Sequence, residues 1–123
     1  MIVGIGTDIV EIERVKKACL REGFLTRCFT DREKEIINKR QSSAAGNFAV
    51  KEAVAKALGT GFTGFGPSDI EVLRNEAGAP YVILYNKAKE IADNLNIGSI
   101  IVSISDEKSM AAAFAVAQTE KMD

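Results

Sequence analysis

The chain has 123 residues, of which 46% are hydrophobic and 27% are charged. This composition is typical of a soluble globular protein, and we predict a single domain over residues 1–123. The net charge of −1 argues against a nucleic-acid binder, which needs a strongly basic surface. No apolar run is long enough to cross a membrane.

Histidine is absent from the chain, which removes the commonest general base and the commonest metal ligand. Any chemistry must therefore use carboxylates, lysines, hydroxyls and backbone groups, and any metal would be a hard ion such as Mg²⁺. Cys19 and Cys28 match neither a zinc pair nor a CxxC motif, so we expect buried or idle thiols. With no signal peptide at the N-terminus, the sequence predicts a cytoplasmic protein.

The first half of the chain predicts one strand followed by three helices. Residues 1–6 alternate and are β-branched, which is typical of a strand. Apolar residues on one face predict a helix over residues 11–20, and a capping box at Thr30 predicts a second helix that ends near residue 39. A longer helix should occupy residues 44–58, where Gly59 ends it.

The second half predicts a glycine-rich loop, four strands and one helix. Residues 59–67 cannot be regular structure, residues 70–74 and 81–84 predict a hairpin, residues 86–95 a helix and residues 100–105 a strand. Residues 109–118 are ambiguous, since their alanines favour a helix but their larger apolar residues alternate; we predict a strand. The order of elements indicates an α+β fold, with an antiparallel sheet packed against helices.

Glu52 and Lys56 lie at i and i+4, so both project from one face of the predicted helix. The ordinary interpretation is an intrahelical ion pair on a solvated surface. Small and apolar neighbours, a further cation at Lys51 and the glycine-rich loop that follows all favour a functional interpretation, because backbone amides in such a loop can approach a phosphate. The loop alone matches neither the nucleotide P-loop nor the dinucleotide fingerprint.

Asp8 follows the predicted first strand and precedes a helix. Such an aspartate is often an N-cap or turn residue. The functional alternative is a carboxylate at the edge of a sheet. Asp8 and Glu52 would then supply two oxygens to Mg²⁺, with water and substrate phosphate oxygens completing the octahedron.

The motif GIGTDIVEI at residues 4–12, followed by FAVKEAVAKALGTG at residues 48–61, resembles the two signature motifs of the phosphopantetheinyl transferases. The short chain and the position of the first motif are similar to the bacterial holo-acyl-carrier-protein synthases of that family. The resemblance continues in DIEVLRNEAGAPY, VSIS and AAAFAV, so it covers nearly the whole chain. It implies the family's fold, and a homotrimer whose active sites are shared between subunits.

The resemblance also implies an activity and the residues that carry it. The enzyme would transfer 4'-phosphopantetheine from coenzyme A to a serine of apo acyl carrier protein, releasing adenosine 3',5'-bisphosphate and supporting fatty acid biosynthesis. Asp8 and Glu52 match the Mg²⁺ carboxylates, and Lys56 matches the lysine near the reacting phosphates. The positions that match coenzyme A contacts are Lys51, Gly59, Gly61, Gly64 and Pro80.

An acidic carrier protein would dock on the first helix, at cations that match Arg14, Lys17 and Arg21. From the residues alone, the alternative is a solvated face on which Glu13 and Lys17 pair. The acceptor of the serine proton stays open among Glu52, Asp8 and a metal-bound water. Two other functions also stay open: a coenzyme A or nucleotide-binding module without transferase activity, and a trimeric adaptor that recognises acidic helices.

Two positions depart from the family pattern. Asn47 stands where the family usually has an arginine, and Asp106 where it commonly has a histidine, and both positions lie close to coenzyme A in the family. Asp106 either turns outward, pairing with Lys108 or capping the turn, or faces the groove and repels the phosphates. We expect the outward orientation.

Overall fold

A computed structural model describes residues 1–120 and has the predicted α+β fold, while residues 121–123 of the predicted domain lie outside the described residues. The elements in chain order are β1 (Ile2–Glu11), α1 (Ile12–Ala18), α2 (Glu22–Cys28), α3 (Asp31–Lys39), α4 (Ser43–Ala57), a 3₁₀ helix (Pro67–Asp69), β2 (Ile70–Arg74), β3 (Pro80–Leu84), α5 (Asn86–Asn94), β4 (Ile97–Asp106) and β5 (Met110–Thr119). None of the helices in this part of the chain has the length and apolar character needed to span a bilayer.

The strands form two antiparallel sheets. The larger sheet has the order β1-β5-β4, and β2 pairs with β3 as a hairpin. The ambiguous segment near the C-terminus is the central strand of the larger sheet, so the prediction of a strand is confirmed. Its alternate residues point to α4, where only small side chains fit between strand and helix; these buried residues are Ala111, Ala113, Ala115 and Ala117.

Strand β1 crosses α4 with the two backbones nearly in contact. A Cβ atom on Gly6 would overlap the carbonyl oxygen of Ala53, and one on Gly4 would overlap that of Ala57. Only glycine therefore permits this approach. Because Asp8 follows Gly6 by two residues, the close crossing places its carboxylate beside α4.

Two expectations about the first third of the chain are wrong. The first strand does not end at Gly6 but continues to Glu11, because β5 pairs with it along this length and Asp8 lies opposite Ala113. Residues 22–28 form a helix that the sequence pattern did not indicate, since its N-cap residue, Arg21, makes no side-chain capping bond. Cys19 and Cys28 are free, and burial raises the pKa of both thiols, as their predicted inactivity requires.

The face of the larger sheet opposite α4 is apolar and uncovered. Ile5, Ile9, Ile101 and Phe114 are 70%, 63%, 57% and 58% exposed, and we call these four residues the open sheet face. Val116 on the central strand lies between Ile5 and Ile101, so the apolar surface is continuous across the sheet. A contiguous apolar patch of this kind is typical of an interaction surface.

Candidate active site

Three of the predicted site residues meet where β1 crosses α4. Lys56 Nζ donates a hydrogen bond of 2.8 Å to the carbonyl oxygen of Thr7 and lies 3.3 Å from Asp8 Oδ1. Glu52 lies one helical turn before Lys56. Among residues 1–120, Lys56 forms its ion pair with Asp8 and none with Glu52, so the interpretation as a simple intrahelical pair is wrong.

Asp8 is part of a strand rather than a helix cap. It lies within β1, and the N-cap residue of α1 is Glu11. The interpretation of Asp8 as an N-cap is therefore wrong. Its side chain is 18% exposed, so one carboxylate is held by the sheet at the surface of the helix that carries the other.

The two carboxylates influence each other. Burial and the charge of Asp8 raise the pKa of Glu52, whereas the ammonium of Lys56 lowers it. A divalent cation would relieve this repulsion, and carboxylate oxygens are donors that Mg²⁺ prefers. The described residues contain no cluster of three or more His, Cys, Asp or Glu side chains suited to a metal. The pair therefore fits an ion that takes its remaining ligands from water and substrate.

Lys51 is a neighbour of Glu52 in the sequence but does not share its surroundings. Although it precedes Glu52, its side chain points into the core and is fully buried. Its Nζ donates to Glu33 Oε1 at 2.7 Å, to the carbonyl oxygen of Pro67 at 3.0 Å and to that of Ile70. The prediction that Lys51 contacts coenzyme A is therefore wrong, because its ammonium is enclosed by protein groups.

Asn47 belongs to the same buried cluster. Its Nδ2 donates to Glu33 Oε2 and to the carbonyl oxygen of Val72, both at 3.0 Å. Asn47 is also fully buried, so this departure from the family pattern is an internal contact of the fold. No pattern in the sequence indicates the cluster, because Glu33 is already explained as the capping-box residue of α3.

The glycine-rich loop leaves α4 just beyond Lys56. Gly59, Gly61 and Gly64 have φ angles of 82°, 59° and 88°, in the left-handed region that side chains rarely adopt. The irregular loop is therefore confirmed, and glycine is needed at these three positions for the backbone to turn. The loop begins at the end of the helix that carries Glu52 and Lys56.

Pro80 lies apart from the two carboxylates and Lys56. It lines a cavity with Asp106 and with two cations, Arg40 and Arg74, and neither Asp8, Glu52 nor Lys56 is among the described residues that line it. Apart from Lys51, the predicted coenzyme A residues thus form two separate groups within one chain. One is the carboxylate group with the glycine-rich loop, and the other is the Pro80 cavity.

Asp106 is exposed at the end of a strand. It ends β4 and lines the Pro80 cavity. No ion pair joins it to Lys108 in the part of the chain that the structure describes. The expected pairing with Lys108 is therefore absent from the described residues, and so is an ion pair with Arg40 or Arg74.

The predicted docking cations divide between two cavities, and Arg21 lies outside the first helix, as the N-cap residue of α2. Arg14 and Arg21 line a cavity together with Glu11 and apolar walls, and we call it the Arg14–Arg21 cavity; the apolar residues are Ile9, Val10, Val15, Ala18, Phe24, Phe48 and Met110. Val10 follows Asp8 by two residues on the same face of β1, and Phe48 precedes Glu52 by one turn, so this cavity adjoins the two carboxylates.

Lys17 lies apart from the two arginines. It lines a second cavity together with Lys16 and Glu13. No ion pair between Glu13 and Lys17 is present in residues 1–120, although both side chains are exposed, so the solvated face of the alternative is present without its internal pair. Of the three predicted docking cations, only Arg14 and Arg21 share a cavity next to the candidate site.

Comparison with known families defines the class of this site. The profile of the 4'-phosphopantetheinyl transferase superfamily matches residues 4–115. The chain therefore belongs to this superfamily, as the resemblance of its two motifs indicated.

The relatives within the superfamily are holo-[acyl-carrier-protein] synthases. The chain is 48% identical over 118 residues to the holo-[acyl-carrier-protein] synthase of Lachnoclostridium phytofermentans, covering 96% of this chain and 97% of the relative. It is 50% identical over 124 residues to that of Caldicellulosiruptor saccharolyticus, covering 98% and 100%.

Solved structures have the same fold. The Helicobacter pylori holo-[acyl-carrier-protein] synthase in complex with coenzyme A is 36% identical with a TM-score of 0.83, covering 93% of this chain and 99% of that one. The Bacillus anthracis holo-(acyl-carrier-protein) synthase, in complex with CoA (3',5'-ADP), is 33% identical with a TM-score of 0.80, covering 98% and 99%. The predicted fold class is confirmed.

Proposed function

We propose that residues 1–123 form a single Mg²⁺-dependent holo-[acyl-carrier-protein] synthase domain. The enzyme transfers 4'-phosphopantetheine from coenzyme A to a serine of apo acyl carrier protein and releases adenosine 3',5'-bisphosphate. The observation that carries this proposal is the meeting of Asp8, Glu52 and Lys56 at the start of the glycine-rich loop, in a chain of this superfamily. The reaction belongs to cytoplasmic fatty acid biosynthesis.

The side chains of the site suit phosphoryl transfer, which depends mainly on positioning and on stabilisation of charge. Asp8 and Glu52 would hold Mg²⁺, which when bound neutralises charge on the pyrophosphate. The Lys56 side chain is 53% exposed and its ammonium is held by the carbonyl oxygen of Thr7, so it can approach a phosphate oxygen and offset the charge that develops on the leaving group. The Gly59, Gly61 and Gly64 backbone would line the phosphates.

The direct test is mass spectrometry of an apo acyl carrier protein incubated with this protein, coenzyme A and Mg²⁺. We expect a mass gain of one phosphopantetheine group, which disappears when the acceptor serine is replaced by alanine. Coenzyme A binding without a mass gain would favour a binding module. Carrier-protein binding without either effect would favour an adaptor.

Homotrimer formation is part of the proposal. The open sheet face offers an apolar surface for association between copies of the chain. The two separate groups of coenzyme A residues give a reason for it. A site formed between neighbouring subunits would bring the glycine-rich loop of one chain to the Pro80 cavity of the next.

The acidic carrier protein is proposed to dock at the Arg14–Arg21 cavity. Arg14→Glu and Arg21→Glu should each raise the KM for carrier protein by about tenfold and weaken the dependence of association on salt, because charge complementarity steers encounter. The KM for coenzyme A should barely change. Steady-state kinetics with each substrate varied in turn measures both values.

Lys16→Glu provides a matched control for the docking prediction. It makes the same change of charge on the same helix, but Lys16 lines the other cavity. We expect this variant to keep a carrier-protein KM close to that of the wild type. If Lys16→Glu and Arg14→Glu have equal effects, the net charge of the helix matters and a specific docking cavity is not supported.

Asp106 should weaken the hold on coenzyme A. Asp106 lines the Pro80 cavity together with Arg40 and Arg74, and its negative charge would oppose the attraction of a phosphate to these two cations. We expect Asp106→Asn to lower the KM for coenzyme A about threefold, with a smaller effect for dephospho-coenzyme A. Glu107→Gln is the control, because this neighbouring acid does not line the cavity. Equal KM values for the two variants would exclude the Pro80 cavity as a phosphate site.

A further inference from the structure

The ammonium group of Lys51 joins three segments of the chain. It is carried by α4 and bonds to Glu33 on α3, to the carbonyl oxygen of Pro67 in the 3₁₀ helix and to that of Ile70 at the start of β2. Both Lys51 and Glu33 are fully buried. No part of this arrangement is open to a ligand, so its role must be internal.

The stability of the fold alone does not explain why Lys51 and Glu33 form a buried ion pair. Burial lowers the pKa of Lys51 and raises that of Glu33, which shows that desolvation opposes both charges. Replacing a buried ion pair by apolar side chains of similar volume is often neutral or stabilising. An apolar side chain, however, cannot donate hydrogen bonds to the carbonyl oxygens of Pro67 and Ile70, which follow the glycine-rich loop.

The glycine-rich loop has both of its ends attached to α4. At the first end, the Gly61 amide donates to the carbonyl oxygen of Ala55 at 3.1 Å. In the middle, Phe62 and Phe65 pack edge to face with ring centroids 5.6 Å apart. At the last end, Pro67 directly follows the loop, and its carbonyl oxygen is held by Lys51.

We propose that Lys51 is a positioning residue that fixes the far end of the glycine-rich loop for coenzyme A. This inference rests on the proposed function, since it assigns the loop to that substrate. Lys51 sets the path of residues 59–66 relative to the helix that carries Glu52 and Lys56, and it touches neither substrate. The family motif lysine thereby acts through the backbone of Pro67 and Ile70.

Glu33 has a different part in the cluster. Its Oε1 accepts from Lys51 and from the backbone amide of Thr30 at 3.2 Å, and its Oε2 accepts from Asn47. It therefore holds the Lys51 ammonium together with the two carbonyl oxygens. Even a neutral lysine amine can donate to those two oxygens, so loss of the Glu33 charge should leave the loop attached.

The test compares Lys51→Met/Glu33→Gln with Glu33→Gln. The double variant removes both charges and the donor to the loop, whereas the single variant keeps that donor. In the double variant alone, we expect hydrogen exchange of the amides in residues 59–66 to accelerate roughly tenfold, as local opening becomes easier. The KM for coenzyme A should also rise roughly tenfold, with the carrier-protein KM unchanged.

The exchange measurement needs no activity, so it separates this inference from the proposed function. If the wild type transfers no phosphopantetheine, the proposed function fails whatever the exchange rates are. If the wild type is active and the folded double variant keeps wild-type exchange in residues 59–66 and a wild-type KM for coenzyme A, Lys51 does not position the loop. If the double variant does not fold, the test uses Lys51→Gln, whose side chain is one atom shorter. This variant must show the same acceleration of hydrogen exchange in residues 59–66. Wild-type exchange in these residues would overturn the inference.

Discussion

Glu52→Gln and Asp8→Asn are each expected to lower the rate of holo carrier-protein formation by orders of magnitude. Each change keeps the shape of the side chain and removes an anionic oxygen from a pair that the crossing of β1 over α4 brings together. The measurement is the transfer rate as a function of Mg²⁺ concentration. Saturation should shift to higher Mg²⁺ in both variants, because one of two protein ligands has lost its charge.

The control for these variants is Glu90→Gln, which makes the same chemical change at an exposed position of α5. We expect it to keep wild-type turnover and Mg²⁺ dependence. Full activity in Glu52→Gln and in Asp8→Asn would exclude the proposed metal site. Loss in only one of them would mean that the two carboxylates do not share a function.

The metal-free protein gives an independent measure of Glu52. Its pKa is raised by burial and by Asp8, so the folded state holds this proton more tightly than the unfolded state. The stability that the proton confers is complete below the ordinary pKa of glutamate and is lost as the pH rises through the raised pKa. Glu52→Gln has no such proton to lose. In EDTA, its Tm should therefore fall less than the wild-type Tm between acid and neutral pH.

Local chemistry in the sequence predicted most of the fold. The capping box at Thr30 and Glu33 is present, and the alternation around Phe114 does mark a strand despite its alanines. The extension of β1 past Gly6 was not predictable in the same way. It depends on pairing with a strand more than a hundred residues later in the chain, which no local pattern records.

In the candidate site too, local sequence patterns predict some features and not others. The two motifs singled out Asp8, Glu52 and Lys56, and the structure brings these residues together, while their roles in the reaction stay a proposal. The direction in which the Lys51 side chain points could not be predicted, because neighbouring residues on a helix point about 100° apart and α4 is buried on most of its surface. In the folded chain, the side chain of this motif lysine is buried and bonds to Glu33.

Phe114→Glu is expected to dissociate the proposed trimer and to lower turnover by about two orders of magnitude, because a carboxylate buried in an apolar interface is strongly unfavourable. Phe114 lies at the centre of the open sheet face, opposite Thr7 on β1 and Ser103 on β4. Sedimentation should show trimers for the wild type and monomers for the variant. Leu95→Glu, at an apolar residue 39% exposed outside this face, should remain trimeric and active.

Mixed trimers test whether the subunits share active sites. Glu52→Gln lacks a carboxylate, and Arg74→Glu reverses a charge in the Pro80 cavity, so each should be nearly inactive alone. If one subunit supplies the carboxylates and its neighbour the cavity, co-refolding equal amounts restores both parts at about a quarter of the interfaces. The mixture should then regain about that fraction of wild-type activity. Sites contained within one chain would give no recovery, because every chain in the mixture carries one of the two changes.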